Sequence, residues 1–164
     1  MATIKATWPT GLSTLTIDLA MTATNIYSNL SSEIDNEDAA NNGATTYLYA
    51  DFELTFGNAI AAASVAGGYV GLYVIPLVGT TYPAAGQTGV NAIGPGEGFF
   101  AGVFPCGITG TNLTGLVTTC VNVPIPPLKF KVVCVNATGV TMVINGGTST
   151  ASVLKYRRHN LSVT

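Results

Sequence analysis

One histidine, three cysteines and one acidic group are the residues of this 164-residue sequence that invite a chemical reading. His159 is the only imidazole, and it follows Lys155, Arg157 and Arg158 near the C-terminus. A Ser–His–Asp triad would have to use it, and no nucleophile motif stands elsewhere to support one. A lone histidine in a basic run reads as solvent-exposed. Cys106, Cys120 and Cys134 are fourteen residues apart each time. Zinc sites take several Cys or His ligands, and this spacing matches no such pattern. Cys134 falls on the same strand face as Phe130 and Val132, so it reads as a small buried hydrophobe. The opening MATIKATWPTG has no apolar core of a secretory signal, so free thiols are expected rather than a disulfide.

Glu33, Asp35, Glu37 and Asp38 form the densest acidic group. They lack the spacing and the glycine of an EF-hand loop, so a solvated rim is expected rather than a calcium site. The basic run Lys155, Arg157 and Arg158 lies at the far end of the sequence. Complementary patches of this kind can set the register of a subunit contact. The glycine-rich GVNAIGPGEG has neither the lysine nor the spacing of a phosphate-binding loop. Asp18, Glu33, Asp51 and Glu97 are the carboxylates an enzyme would draw on, and no motif surrounds them. Asn-x-Ser/Thr triplets at Asn29, Asn112, Asn136 and Asn160 mark only a chain rich in Asn and Thr. The expectation is a protein without catalytic residues, cofactor or metal.

The elements that carry these residues read as strands. Ala44–Phe56 alternates throughout: Ala44, Thr46, Leu48, Ala50, Phe52, Leu54 and Phe56 share one face. Thr45, Tyr47, Tyr49, Asp51, Glu53 and Thr55 share the other. Successive side chains of a strand point to opposite faces, so this is a long half-buried strand with Tyr47 and Tyr49 outward. Further strands are predicted over Thr14–Leu19, Ile26–Asp35, Tyr69–Leu77, Phe99–Phe104, Leu116–Val123, Leu128–Val135, Val140–Ile144 and Ser149–Arg158. Gly, Pro and Asn turns separate them. Ala59–Ala66 is the one plausible short helix. Residues 1–12 read as an irregular arm, with Trp8 placed to meet its own sheet or a neighbour. The predicted class is an all-β antiparallel sandwich, jelly-roll-like, with about eight strands in a single domain over residues 13–164.

Composition narrows the partners. Charged residues make up 9% of the chain, against roughly 25% in typical soluble domains. A surface so poor in charge suits a component of an assembly. The net charge of −2 argues against a nucleic-acid partner, which would need Lys and Arg. Ala59–Gly79 is apolar enough to suggest a membrane span. Gly67-Gly68 and Pro76 interrupt it and no Lys or Arg flanks it, so no membrane partner is expected.

Three segments resemble tailed-phage virion proteins. GLYVIPLVGTTYPAAG (71–86) resembles an apolar strand followed by a Gly-Thr-x-Tyr loop in that group. LKFKVVCVNATG (128–139), with Pro127 ahead of it, resembles their later strand and turn. LKYRRHN (154–160) looks like their closing strand. Where an Asp often follows the first strand, this chain has Leu77-Val78. The resemblance implies a β-sandwich virion protein of the capsid decoration, or cement, type. Such a protein is non-enzymatic, assembles in the host cytoplasm and sits on the capsid exterior. Its partners would be the major capsid protein and itself, as a homotrimer or homodimer. Trp8, Tyr47, Tyr49, Lys155, Arg157 and Arg158 are then the candidate subunit or capsid contacts. The alternative is a head-fibre or tail module that binds a host glycan through Tyr47, Tyr49 and the 78–98 loop.

Overall fold

A computed structural model of the chain describes residues 4–7, 11–17, 19, 21, 27–37, 46–57, 67–80, 82, 98–107, 113–140 and 152–163. Within them run eight strands: β1 (Ile4–Thr7), β2 (Ser13–Leu15), β3 (Tyr49–Thr55), β4 (Tyr69–Pro76), β5 (Phe99–Pro105), β6 (Val117–Pro124), β7 (Phe130–Ala137) and β8 (Val153–Val163). The first sheet has the order β1-β8-β3-β6, with β2 also on β8, and the second the order β5-β4-β7. Every pairing is antiparallel. This is the expected all-β architecture, an antiparallel sandwich without a helix among the described residues. The Ala59–Ala66 helix and the Val140–Ile144 strand fall largely outside those residues.

The alternation in the sequence sets which faces meet. Ala50, Phe52, Leu54 and Phe56 of the β3 stretch turn inward, as does Leu154 of β8. Val70, Leu72 and Val74 of β4, Phe104 of β5, and Phe130, Val132 and Cys134 of β7 face them from the second sheet. Two inner faces interlock into one dry core, the arrangement that lets each sheet hide an apolar side. Tyr69–Pro76, part of the apolar run that suggested a span, is thus a strand of the second sheet. Among the described residues no helix is long and apolar enough to cross a membrane.

Four elements differ from expectation. The central strand begins at Tyr49, not Ala44. Ahead of it, side-chain amides replace ladder partners: Asn36 Nδ2 donates to the Tyr47 carbonyl at 2.8 Å, and Leu48 N–H donates to Asn160 Oδ1 at 2.8 Å. Residues 4–7, expected within an irregular arm, form β1 on the end of β8, from Ile4 opposite Val163 to Thr7 opposite Asn160. This pairing also carries β8 past its expected end at Arg158. Trp8 lies outside the described residues. The predicted Thr14–Leu19 strand is shorter and begins one residue earlier, at Ser13–Leu15.

The fourth difference is in the predicted strand Ile26–Asp35. Its residues run beside β7 but not in a regular ladder. Ser28, Ser31 and Ile34 donate their N–H groups to Cys134, Val132 and Phe130, three residues of the segment for every two of β7. The serines repair the mismatch. Cys134 N–H donates to Ser28 Oγ at 2.9 Å and Val132 N–H to Ser31 Oγ at 3.0 Å. Both serines are buried. Ser28→Ala will therefore leave a buried amide without its acceptor and cost about 1–2 kcal/mol. Urea unfolding will show the loss, and hydrogen exchange will show faster exchange at Cys134.

Candidate functional site

The outer face of the first sheet gathers most of the residues singled out in the sequence. Register sets Tyr49 opposite His159, Asp51 opposite Arg157 and Glu53 opposite Lys155. On the other side of β3, Ala50 faces Val123 and Phe52 faces Cys120. Val121 and Asn122 are thus squeezed against Asp51 alone, a β-bulge. Asn122 takes the left-handed conformation, with φ 55°, which Asn tolerates better than most residues. The bulge turns its N–H to Asp51 Oδ1, at 2.9 Å. Arg157 completes the carboxylate's partners, with Nε and Nη2 each 3.1 Å from Oδ2. Lys155 Nζ reaches Glu53 Oε1 at 3.3 Å.

His159 is not the exposed tail residue that the sequence suggested, for it is only 1% exposed. Its ring stacks on Tyr49, centroids 5.8 Å apart. Nε2 lies 3.0 Å from Asn122 Oδ1, and Nδ1 lies 3.8 Å from Asp51 Oδ1. The extension of β8 to Val163 places this residue within a strand, under a neighbour's ring. On the opposite side of β8, Arg158 donates through Nη1 to the Asp35 carbonyl. Its guanidinium lies over the Tyr47 ring, 5.3 Å from the centroid.

Each candidate contact residue thus has a place, Trp8 excepted. Tyr49, Lys155 and Arg157 come together on one sheet face. Tyr47 and Arg158 meet on the opposite side of the sheet, where Tyr47, expected outward beside Tyr49, packs against the core instead. All five are half-buried and engaged within the chain. Beside them runs a groove of about 250 Å³ lined by Leu12, Asp51, Phe52, Glu53, Thr119, Val121 and Arg157. Of the groove's ionised groups, Asp51 is held by Arg157, and Glu53 by Lys155.

A second charged cluster explains part of the acidic group. Lys129 Nζ bridges Glu33 at 3.1 Å and Asp35 at 3.3 Å. Tyr82 donates its hydroxyl to Glu33 Oε2 at 2.8 Å, and Lys131 stands 4.8 Å from the centre of the Tyr82 ring. The hydrogen bond from Tyr82, then the one from Lys129, holds the Glu33 carboxyl below its ordinary value. Burial, then the bond to Glu33, pushes the Tyr82 phenol up. Because the native carboxyl is the more acidic, its contribution is complete above the unfolded-state value and is lost as pH falls through the lowered native one. Tyr82→Phe will shrink this increment. Melting temperatures at pH 7 and near pH 3 will then differ less in the variant than in the wild type.

The three cysteines are free and buried. Burial pushes the Cys106 thiol up to about 11 and that of Cys134 to about 12, and it also raises Cys120. Protonated, enclosed thiols are poor nucleophiles and poor metal ligands. Among the described residues no group of His, Cys, Asp and Glu is arranged to hold a metal ion.

What the sequence reading missed is an aromatic area on the outer face of the second sheet. Tyr69, Tyr73, Phe100 and Val103 share it, by the register that sets Gly71 opposite Val103 and Tyr73 opposite Phe100. Phe100 is 55% exposed, and Tyr69 and Val103 are each 39% exposed. The signal was present in YVGLYVIPL, which is apolar on both faces, and in FFAGVF, which has no polar side chain. Compared with protein-family models, with curated proteins and with solved structures, the chain matches none.

Proposed function

We propose that this protein is a structural component of a tailed-phage virion, one that binds the outside of the capsid as an oligomer and strengthens contacts between capsomers. Its partners are the major capsid protein and further copies of itself. The observation that carries the reading is how its surface is allotted. Of the six basic residues, Lys129, Lys155 and Arg157 hold carboxylates, Arg158 holds a backbone oxygen and Lys131 lies against a tyrosine ring. Large apolar side chains are left outside, among them Leu48, Phe100, Val117 and Val121. Such a surface gains free energy by being covered, about 25 cal/mol for each Å² of apolar area. It has little to offer a charged ligand. Weak contacts of this kind, repeated over a lattice, add up through avidity. The segments that resemble phage virion proteins point the same way.

The test has two stages. Light scattering behind a sizing column, at micromolar concentration, should give a stable dimer or trimer that survives dilution. Co-sedimentation with undecorated capsids should then saturate at a fixed ratio of this chain to capsid protein. A monomer that stays in the supernatant would overturn the proposal. The glycan reading leaned on Tyr47 and Tyr49, whose rings are taken up by Arg158 and His159.

A further inference from the structure

We propose that residues 27–34 act as a strap that closes the free edge of β7 against strand addition by another copy of this chain. β7 is the last strand of the second sheet, beyond β4. Its composition makes an open edge there hazardous. Residues 130–135 read FKVVCV, apolar and β-branched with one charge and neither Gly nor Pro, which is the kind of segment that pairs between chains. The strap occupies the groups that such pairing would use. Phe130 N–H donates to the Ile34 carbonyl at 3.0 Å, and the Phe130 carbonyl accepts from Ile34 N–H at 2.8 Å. The carbonyls of Val132 and Cys134 accept from the N–H groups of Ser31 and Ser28, at 3.0 and 2.8 Å. Their own N–H groups donate to the hydroxyls of the same two serines. Each hydroxyl then donates its hydrogen along the strap, from Ser31 to the Ser32 carbonyl at 2.7 Å and from Ser28 to the Asn29 carbonyl at 2.9 Å.

What the strap shows to the outside is not a new edge. An antiparallel ladder joins alternate residues of each strand. The strap meets β7 at every third residue of its own, and forms only isolated bridges, Tyr27 with Val135 and Ile34 with Phe130. A regular strand in its place would satisfy β7 equally well, but would offer a fresh ladder on its far side. The register of three against two ends the sheet instead. The strap is fastened to three strands. Lys129, next to β7, bridges Glu33 and Asp35 on either side of Ile34. Arg158 of β8 donates to the Asp35 carbonyl, and Tyr27 lies against Tyr73 of β4, centroids 6.0 Å apart. Head-to-tail strand addition does not close on itself and grows into filaments. A guarded β7 therefore keeps association to closed contacts, however many copies the native oligomer holds.

The test removes both hydroxyls, Ser28→Ala together with Ser31→Ala. Ser152→Ala is the control. Ser152 is buried and accepts the Gly57 N–H at 3.0 Å, so its loss breaks the same kind of bond beside β3 and β8 instead. Light scattering follows mass against concentration, a circular-dichroism melt confirms the native state, and hydrogen exchange reads the β7 amides. In the dilute double variant Val132 and Cys134 should exchange about tenfold faster. Its mass should then grow with concentration without reaching a limit, and the two amides should become protected again in the associated material. The wild type and Ser152→Ala should keep one finite mass. A natively folded double variant that holds the wild-type mass overturns the proposal. So does growth that the wild type or Ser152→Ala matches, or growth in which the two amides stay unprotected, because an open β7 edge would not be its cause. If the double variant does not fold, Ser31→Ala alone is judged by the same outcomes.

Discussion

Phe52→Ala will destabilise the fold by about 3–5 kcal/mol, the largest loss expected from a single substitution here. Phe52 lies in β3, which pairs on both sides, with β6 and with β8. Its ring is fully buried and stacks against Tyr156 of β8 at 6.3 Å. The inner faces of both sheets meet around it, so neither sheet can close the hole without moving a ladder. That places the cost above simple transfer of the lost atoms, because a cavity remains. For a chain of this length about 2–4 °C of melting temperature goes with each kcal/mol, so the midpoint should fall by roughly 6–20 °C. Urea denaturation with an unchanged slope will separate lost stability from a changed unfolded state. A fall below about 1 kcal/mol would mean that the core collapses around the gap far more readily than two paired sheets allow.

How much of this was legible beforehand depended on the range of the signal. The period of two in ADFELTF is local, and it located the central strand and its buried face. The same reading failed at residues 27–34. There the pattern of serines and apolar residues imitates a regular strand, whereas the serine hydroxyls allow a register of three against two. Nothing local distinguishes these cases, because the partner strand is about a hundred residues away. The fate of the charges was illegible for a related reason. Asp51 and Arg157 are 106 residues apart in sequence, and only the register of β3 on β8 makes them neighbours. His159 looked like part of a basic tail because the strand that contains it continues to Val163 through residues with no strong signal. Its burial follows from the Tyr49 ring stacked on it and from Asn122 of the β6 bulge at its Nε2. The aromatic face of the second sheet was half visible. An apolar strand can be recognised from its residues, but which of its rings stay uncovered depends on what packs above them.

Asp51→Ala is the second substitution with a large expected effect, about 2–3 kcal/mol. The carboxylate side chain is 12% exposed and accepts from three N–H groups, those of Asn122 and of Arg157 Nε and Nη2. Removing it leaves the guanidinium without its counterion and unties the left-handed Asn122 from β3. The cost stays below that of a fully buried pair, because the Arg157 side chain is 36% exposed and water can solvate it in the variant. Lys155→Ala makes the comparison. Lys155 and Glu53 form a more exposed pair, at 37% and 24%, which is expected to contribute less than about 1 kcal/mol. A double-mutant cycle on Asp51 and Arg157 should return a coupling of roughly 1–2 kcal/mol, and a value near zero would reduce the pair to an accident of register.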